Sequence, residues 1–330
     1  MNNIRSLPIK PGGILLVLFA ALAVSSTVLA AASYPSKPVR LIVPDVAGGG
    51  QDIVARLISV DLSERLGKPV VVEYRSGAGG IIGTEAAAKA DPDGYTLFLC
   101  AGKFTIQPAL ENLPYDPVKS FIPIAKLGGA SYALVVNPGV PAASMKELIA
   151  LAKQKPGHLI FVDPGLGSTA HMSSELVKLL ADIDLKVVHL RGANLAVIDL
   201  LGGRSHAMIN SIVAVLSHIK SGKLRVLGTG GVKRSAILPD APTIVEAGLP
   251  GFDVTGWYGI LAPAGTPTPI VERLNKEIKA ILASDEAKKR FLNAGMEADY
   301  LGSTEFGPFI EGEISRWASV VKKGNIKLEK

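Results

Sequence analysis

The stretch Val39-Arg40-Leu41-Ile42-Val43-Pro44, continued by Gly48-Gly49-Gly50-Gln51-Asp52 and closed by Val70-Val71-Val72, decides the fold. Its first five residues form a β-type run, which Pro44 stops because proline has no N–H for a ladder. Three glycines then turn the chain. From Asp52 onward the apolar residues fall at Ile53, Val54, Leu57, Ile58 and Leu62, a helical stripe. Gly67 and Pro69 end that helix, and Val70–Val72 opens the next strand. Strand, glycine turn, helix, strand is the repeating unit of an α/β sheet with parallel strands.

The unit recurs in both directions from there. A second glycine turn, Gly77-Ala78-Gly79-Gly80, leads into a helix through Glu85 to Lys89. Asp91-Pro92-Asp93-Gly94 is a turn signal, and Tyr95 to Cys100 is a strand. A new series begins near Ala133. Ser144-Met145-Lys146-Glu147 is a capping box that opens a helix to Lys155, closed by Pro156-Gly157. Leu159–Val162 is a strand, and Gly165-Leu166-Gly167-Ser168 turns into a helix carrying Met172, Leu176 and Leu179. Val187-Val188, Ala207–Ile209 and Leu224–Leu227 are further strands, with helices over Ala196–Leu201 and through Ile219. The tail reads as helices from Thr268-Pro269, from Ser284 and over Glu305–Lys322. About three units precede residue 105 and about four lie between 133 and 230, which favours two α/β lobes. In open α/β sheets ligands bind beyond the carboxyl ends of strands, where these glycine turns lie.

Composition narrows the chemistry. The 330 residues are 48% apolar and 19% charged, too apolar for a disordered chain. The net charge is +6 with no basic run, so nucleic acid is not an expected partner. The lone cysteine, Cys100, rules out a disulfide scaffold and reads as core filler. Residues 1–32 follow the order of a cleavable export signal: Arg5 and Lys10, then apolar Ile14–Val24, then small residues up to cleavage after Ala30 or Ala32. The apolar block is shorter than the roughly 20 residues that span a bilayer. A periplasmic location is therefore expected.

Each glycine turn joins a strand to a helix N-terminus, where unpaired N–H groups favour anions. Gly165-x-Gly167-x-x-Ala170 formally matches a dinucleotide fingerprint. That fingerprint also needs an acidic residue at the end of the next strand, and here the strand ends His189-Leu190-Arg191. No Gly-x-Ser-x-Gly elbow occurs, and His158, His171, His189, His206 and His218 form no His-x-x-x-His pair. No catalytic residue, metal ligand or cofactor is expected.

The chain resembles the periplasmic solute-binding proteins of tripartite tricarboxylate transporters, the Bug family. The resemblance is carried in order by Tyr34-Pro35-Ser36-Lys37-Pro38 with Gly48–Asp52, Gly77–Gly80 with Gly83-Thr84-Glu85, and Pro92–Leu97. It continues through Gly167-Ser168-x-x-His171, Asp199–Gly203, Ser221–Arg225, Leu238–Thr243, Glu246–Gly251 and Leu261–Pro267. It implies a two-lobed periplasmic-binding-protein type II fold, each lobe a mainly parallel sheet flanked by helices. Residues 33–133 plus 253–330 would form lobe 1 and residues 134–252 lobe 2, with crossings near 131–137 and 250–256. It further implies a small organic carboxylate held between the lobes, largely by backbone amides, and delivery to membrane permease subunits by a monomer without cofactor. A periplasmic sensory partner of a membrane kinase is the alternative; an exported hydrolase is a remote one.

Carried onto this chain, the first binding loop is Val46, Ala47, Gly48, Gly49 and Asp52, with Asp52 read as a cap or loop-orienting residue. Ala78 and Gly79 are either ligand contacts or structural. Lys103 and Phe104 would form a wall, Lys103 being either a cation for a second carboxylate or a surface lysine. Gly167, Ser168 and Thr169 would supply backbone and hydroxyl donors from lobe 2, with His171 a packing histidine or a ligand. Asp199 either binds a ligand amine or hydroxyl or caps a helix, and Asn210 is a donor at a strand end. The chain departs from the family in Asp45, where an aromatic is commoner, in Ala47, and in His189-Leu190-Arg191-Gly192.

Overall fold

The computed structural model describes residues 34–190 and 192–327; the expected export signal over residues 1–32 lies outside the described residues. In chain order the elements are β1 (Val39–Val43), α1 (Gly50–Leu66), β2 (Val70–Tyr74), α2 (Ile81–Ala88), β3 (Thr96–Ala101), the short α3 (Lys103–Ile106), β4 (Phe121–Gly129) and β5 (Tyr132–Val136). Then come α4 (Met145–Gln154), β6 (Ile160–Asp163), α5 (Thr169–Ala181), β7 (Lys186–His189), α6 (Ala193–Leu201), β8 (Ala207–Ser211), α7 (Ile212–Lys220) and β9 (Arg225–Thr229). The tail holds β10 (Tyr258–Pro263), α8 (Thr268–Ala283), α9 (Asp285–Asn293), β11 (Glu297–Leu301) and α10 (Ser303–Gly324).

Two sheets organise these elements, one per lobe. Lobe 1 has the order β11-β4-β10-β3-β1-β2 and lobe 2 the order β7-β6-β8-β5-β9. In lobe 1 β1 lies parallel between β2 and β3, whereas β10, β4 and β11 pair antiparallel. In lobe 2 β6 lies parallel between β7 and β8, and β5 runs antiparallel to β8 and β9. The sheets are thus mixed. The parallel part is the half beside the glycine turns. The antiparallel strands β4, β10 and β11 are the ones the sequence pattern does not display. Pro123 and Gly128-Gly129 interrupt β4, and Gly259 interrupts β10. Gly259 is required by packing: a Cβ there would stand 2.2 Å from Phe306 Cζ.

The crossings between the sheets are short. β4 leaves lobe 1 at Gly129 and β5 enters lobe 2 at Tyr132. On the return, Thr255 forms an antiparallel bridge with Ser131. The two crossing segments touch so closely that a Cβ on Gly129 would lie 1.6 Å from the Gly256 carbonyl oxygen.

Each face of each sheet has its apolar layer. In lobe 1, α1 contributes Val54, Ile58 and Leu62 and α8 contributes Leu274 and Ile278 to one layer. On the opposite face, Phe306 and Ile310 of α10 pack with Phe98, Phe104 and Leu261. Further along, α10 places Trp317 and Val320 in the lobe 2 cluster with Phe161, Met172 and Phe252. One helix is therefore buried in both lobes. Among the described residues no helix is long and apolar enough to cross a membrane.

Candidate binding site

The loop between β1 and α1 is shaped by one carboxylate. Asp52, in the first turn of α1, is almost wholly buried. It accepts bonds from the Gly48 N–H at 2.7 Å, from Arg56 Nε at 2.6 Å and from the Tyr74 hydroxyl. Those donors, Tyr74 first and Gly48 next, hold its carboxyl below the usual range. Gly48 sits at φ +91°, a conformation glycine reaches without a Cβ penalty. Asp52 thus orients the loop from behind. Val46 donates its N–H to Asp45 Oδ1 at 2.8 Å. The amides of Ala47 and Gly49 take no bond among the described residues.

A cavity of about 370 Å³ opens where the loops after β1, β2 and β3 converge. Asp45, Val46, Gln51, Gly79, Lys103 and Phe104 line it, with Phe98 and Cys100 behind. Gly79 has φ +65°, and a Cβ there would stand 2.6 Å from Lys103 Nζ, so the glycine lets the lysine lie across the turn. Ala78 belongs to the same turn but does not line the cavity. Phe104 is 4% exposed and packs against Phe98 and Phe121. Burial raises the pKa of the Cys100 thiol, which suits filler rather than a nucleophile.

Lobe 2 faces this region through the turn between β6 and α5. Ser168 caps α5 by accepting the His171 N–H at 3.1 Å. Gly167 donates its N–H to His171 Nδ1 at 3.0 Å, and Ser168 donates its own to the Gly165 carbonyl. The backbone donors expected from Gly167 and Ser168 are thus spent inside the turn. Thr169 reaches lobe 1: a Cβ on Gly102, between the cavity residues Ala101 and Lys103, would lie 3.0 Å from Thr169 Oγ1. The buried Trp257 Nε1 is near the same point and has no bond partner among the described residues.

Two histidines that are far apart in sequence meet here. Parallel pairing of β6 and β7 sets Asp163 opposite His189. His189 Nδ1 lies 2.8 Å from Asp163 Oδ2, while Gly165 donates its N–H to Asp163 Oδ1. The rings of His171 and His189 meet edge to face at 4.6 Å. One ligand atom from each of Asp163, His171 and His189 falls within 4.8 Å of the others. The Gly167 N–H occupies the Nδ1 lone pair of His171, which puts the proton of the neutral ring on Nε2. The cluster therefore braces the turn. Burial lowers the His171 pKa and keeps the ring neutral.

The last two candidates stand on α6 and β8. Asp199 is not brought to this site: it stands in the last turn of α6, paired with Arg204 Nε at 2.7 Å. Asn137, just after β5, bonds the Leu200 carbonyl, which sets that helix end beside the start of β8, at the end of the sheet away from the Gly165 turn. Asn210 is 5% exposed near the end of β8, and its Oδ1 accepts the Ser211 N–H at 2.8 Å.

Comparison with known proteins gives the family. The tripartite tricarboxylate transporter family receptor matches residues 54–326. The chain belongs to this family. Protein BugT of Bordetella pertussis is 37% identical to this receptor over 315 residues, covering 94% of this chain and 97% of BugT. Among solved structures, R. palustris Rpa4515 with adipate has a TM-score of 0.79 at 34% identity, covering 89% of the receptor and 99% of that chain. MatC from Rhodopseudomonas palustris with bound malate has a TM-score of 0.73 at 30% identity, covering 87% and 100%. The periplasmic binding protein BugD has a TM-score of 0.75 at 32% identity, covering 90% and 100%.

Proposed function

We propose that this receptor works in the periplasm, captures a small organic carboxylate where the lobe 1 cavity meets the lobe 2 turn, and delivers it to membrane permease subunits. The observation that carries the reading is the 370 Å³ cavity at the carboxyl ends of β1 and β3, with Lys103 on its wall. Unclaimed amides of the first loop and the N-terminal end of α1 add positive potential beside it. Relatives of the same fold hold adipate and malate, both carboxylates. Residues 130–131 and 254–257 would serve as the hinge, and closure of the lobes would be the form that permease subunits recognise.

The test is thermal unfolding of ligand-stripped protein with adipate, malate and a panel of aromatic and amino acids. A ligand at 100 times its dissociation constant adds about 2.7 kcal/mol of stability, a clear rise in Tm. No rise with any carboxylate would refute capture. Chemical turnover of a bound acid, followed by mass spectrometry, would instead point to an enzyme.

A further inference from the structure

A second cavity, of about 360 Å³, opens on lobe 2 beside the starts of β6 and β8 and the loop after β5. It lies at the end of the sheet away from the Gly165 turn, because β6 and β8 run parallel and that turn follows the last residue of β6. Lys155, His158, Ser205 and His206 line it, and among the described residues no Asp or Glu does. Its walls are fixed by bonds of their own. Asn137 Oδ1 accepts the Gly139 N–H at 2.9 Å, and Arg225 Nη1 donates to the Ala142 carbonyl at 3.0 Å. His206 Nδ1 accepts the Ile160 N–H at 2.9 Å.

The donors around this cavity lack acceptors. Ser205 is 1% exposed, and neither its N–H nor its hydroxyl has a bond partner among the described residues. Buried donors left in this way are rare in native proteins. The Ile160 N–H occupies the Nδ1 lone pair of His206, so the neutral ring carries its proton on Nε2, which has no hydrogen-bond partner among the described residues. Burial first, and then the neighbouring His158, lowers the His206 pKa and keeps that ring neutral. The His158 and His206 rings lie 5.4 Å apart, and Lys155 forms no ion pair among the described residues. A metal ion is a poor occupant, since neutral His206 has no free lone pair and Lys155 sets a cation on the same lining. An anion with several oxygens answers every group. A carboxylate brings two oxygens and one charge, whereas a phosphoryl group brings three oxygens and close to two charges. We propose that this cavity is an oxyanion site for a phosphoryl group, held by the Ser205 N–H and hydroxyl, His206 Nε2 and the Lys155 ammonium. The site is separate from the place between the lobes and does not depend on what binds there.

The test is a titration of the isotope-labelled, ligand-stripped mature chain with inorganic phosphate at constant ionic strength, read from backbone amide shifts. Saturating shifts should centre on Ser205 and His206, with a dissociation constant of about 1 mM or tighter, and leave Gly48, Gly49 and Gly102 unmoved. Sulfate, also tetrahedral, should compete, and acetate should bind at least about tenfold more weakly. Glycerol phosphate tells the two sources apart: tighter binding than inorganic phosphate assigns the site to an ester, weaker binding to the free anion, and either supports it. Ser205→Ala and Lys155→Gln should each weaken phosphate about tenfold, as the loss of one charge-assisted bond predicts. Shifts that grow without saturating, shifts centred on the Lys103 cavity, or equal affinity for acetate overturn the proposal. Folded variants that both bind phosphate as the wild type does overturn it as well. The wild-type map decides the matter even if a variant does not fold.

Discussion

His171 shows how one side chain can carry a turn. Its Nδ1 accepts the Gly167 N–H only while the ring is neutral, and burial lowers its pKa to keep it so. A base with a depressed folded pKa binds fewer protons folded than unfolded. Its contribution is complete above about pH 6.5 and is lost as pH falls through the folded value, with a limiting slope of about 1.4 kcal/mol per pH unit. Urea unfolding at stepped pH should show this slope in the wild type and a flatter profile in His171→Gln. Equal profiles would place the acid sensitivity elsewhere. At this scale the sequence is partly transparent. The turn Gly165–Ser168 could be read because a glycine pair before a helical stripe has few other uses, whereas Ser168, expected as a ligand donor, caps α5. The partnership of Asp163, His171 and His189 could not, because it depends on which residues of two parallel strands stand opposite one another. The departure of Asp45 from the family could be seen in sequence, but its place in the lining of the same cavity as Lys103 could not.

Among elements, the parallel strands and their helices could be read from apolar runs followed by glycine, most plainly at β1, β3, β6 and β8, which are largely buried. The antiparallel strands β4 and β10 could not, because glycine and proline break their pattern for tertiary reasons, and β11 could not because Glu297 and Asp299 leave it no apolar run. At Gly129 the reason is the close approach of the two crossing strands. Gly129→Ala should therefore cost about 1–3 kcal/mol, the range for overpacking a close contact. The control is Gly312→Ala on α10, where nothing lies within 4 Å of a new Cβ; it should be neutral or add up to about 1 kcal/mol. Chemical denaturation of both variants checks the pair. A harmless Gly129→Ala would show that the crossings have more room than their geometry allows.

The whole molecule is joined by more than its two crossing strands. α10 begins in the lobe 1 core with Phe306 and Ile310 and finishes in the lobe 2 core with Trp317 and Val320. Trp317→Ala removes a side chain that is 1% exposed and should cost about 3–5 kcal/mol. Loss of that anchor should broaden or split the unfolding transition in calorimetry, because it cuts the coupling between lobes. A sharp single transition with unchanged Tm would deny the helix that role. The arrangement has a mechanical consequence. A load applied to the tail of the chain enters lobe 2 first, at Trp317, and then passes along the same rod into lobe 1. The molecule would then yield as one body under tension. A surface tether or fused reporter hung from that end pulls on both halves at once, whereas one attached ahead of Tyr34 pulls on lobe 1 alone.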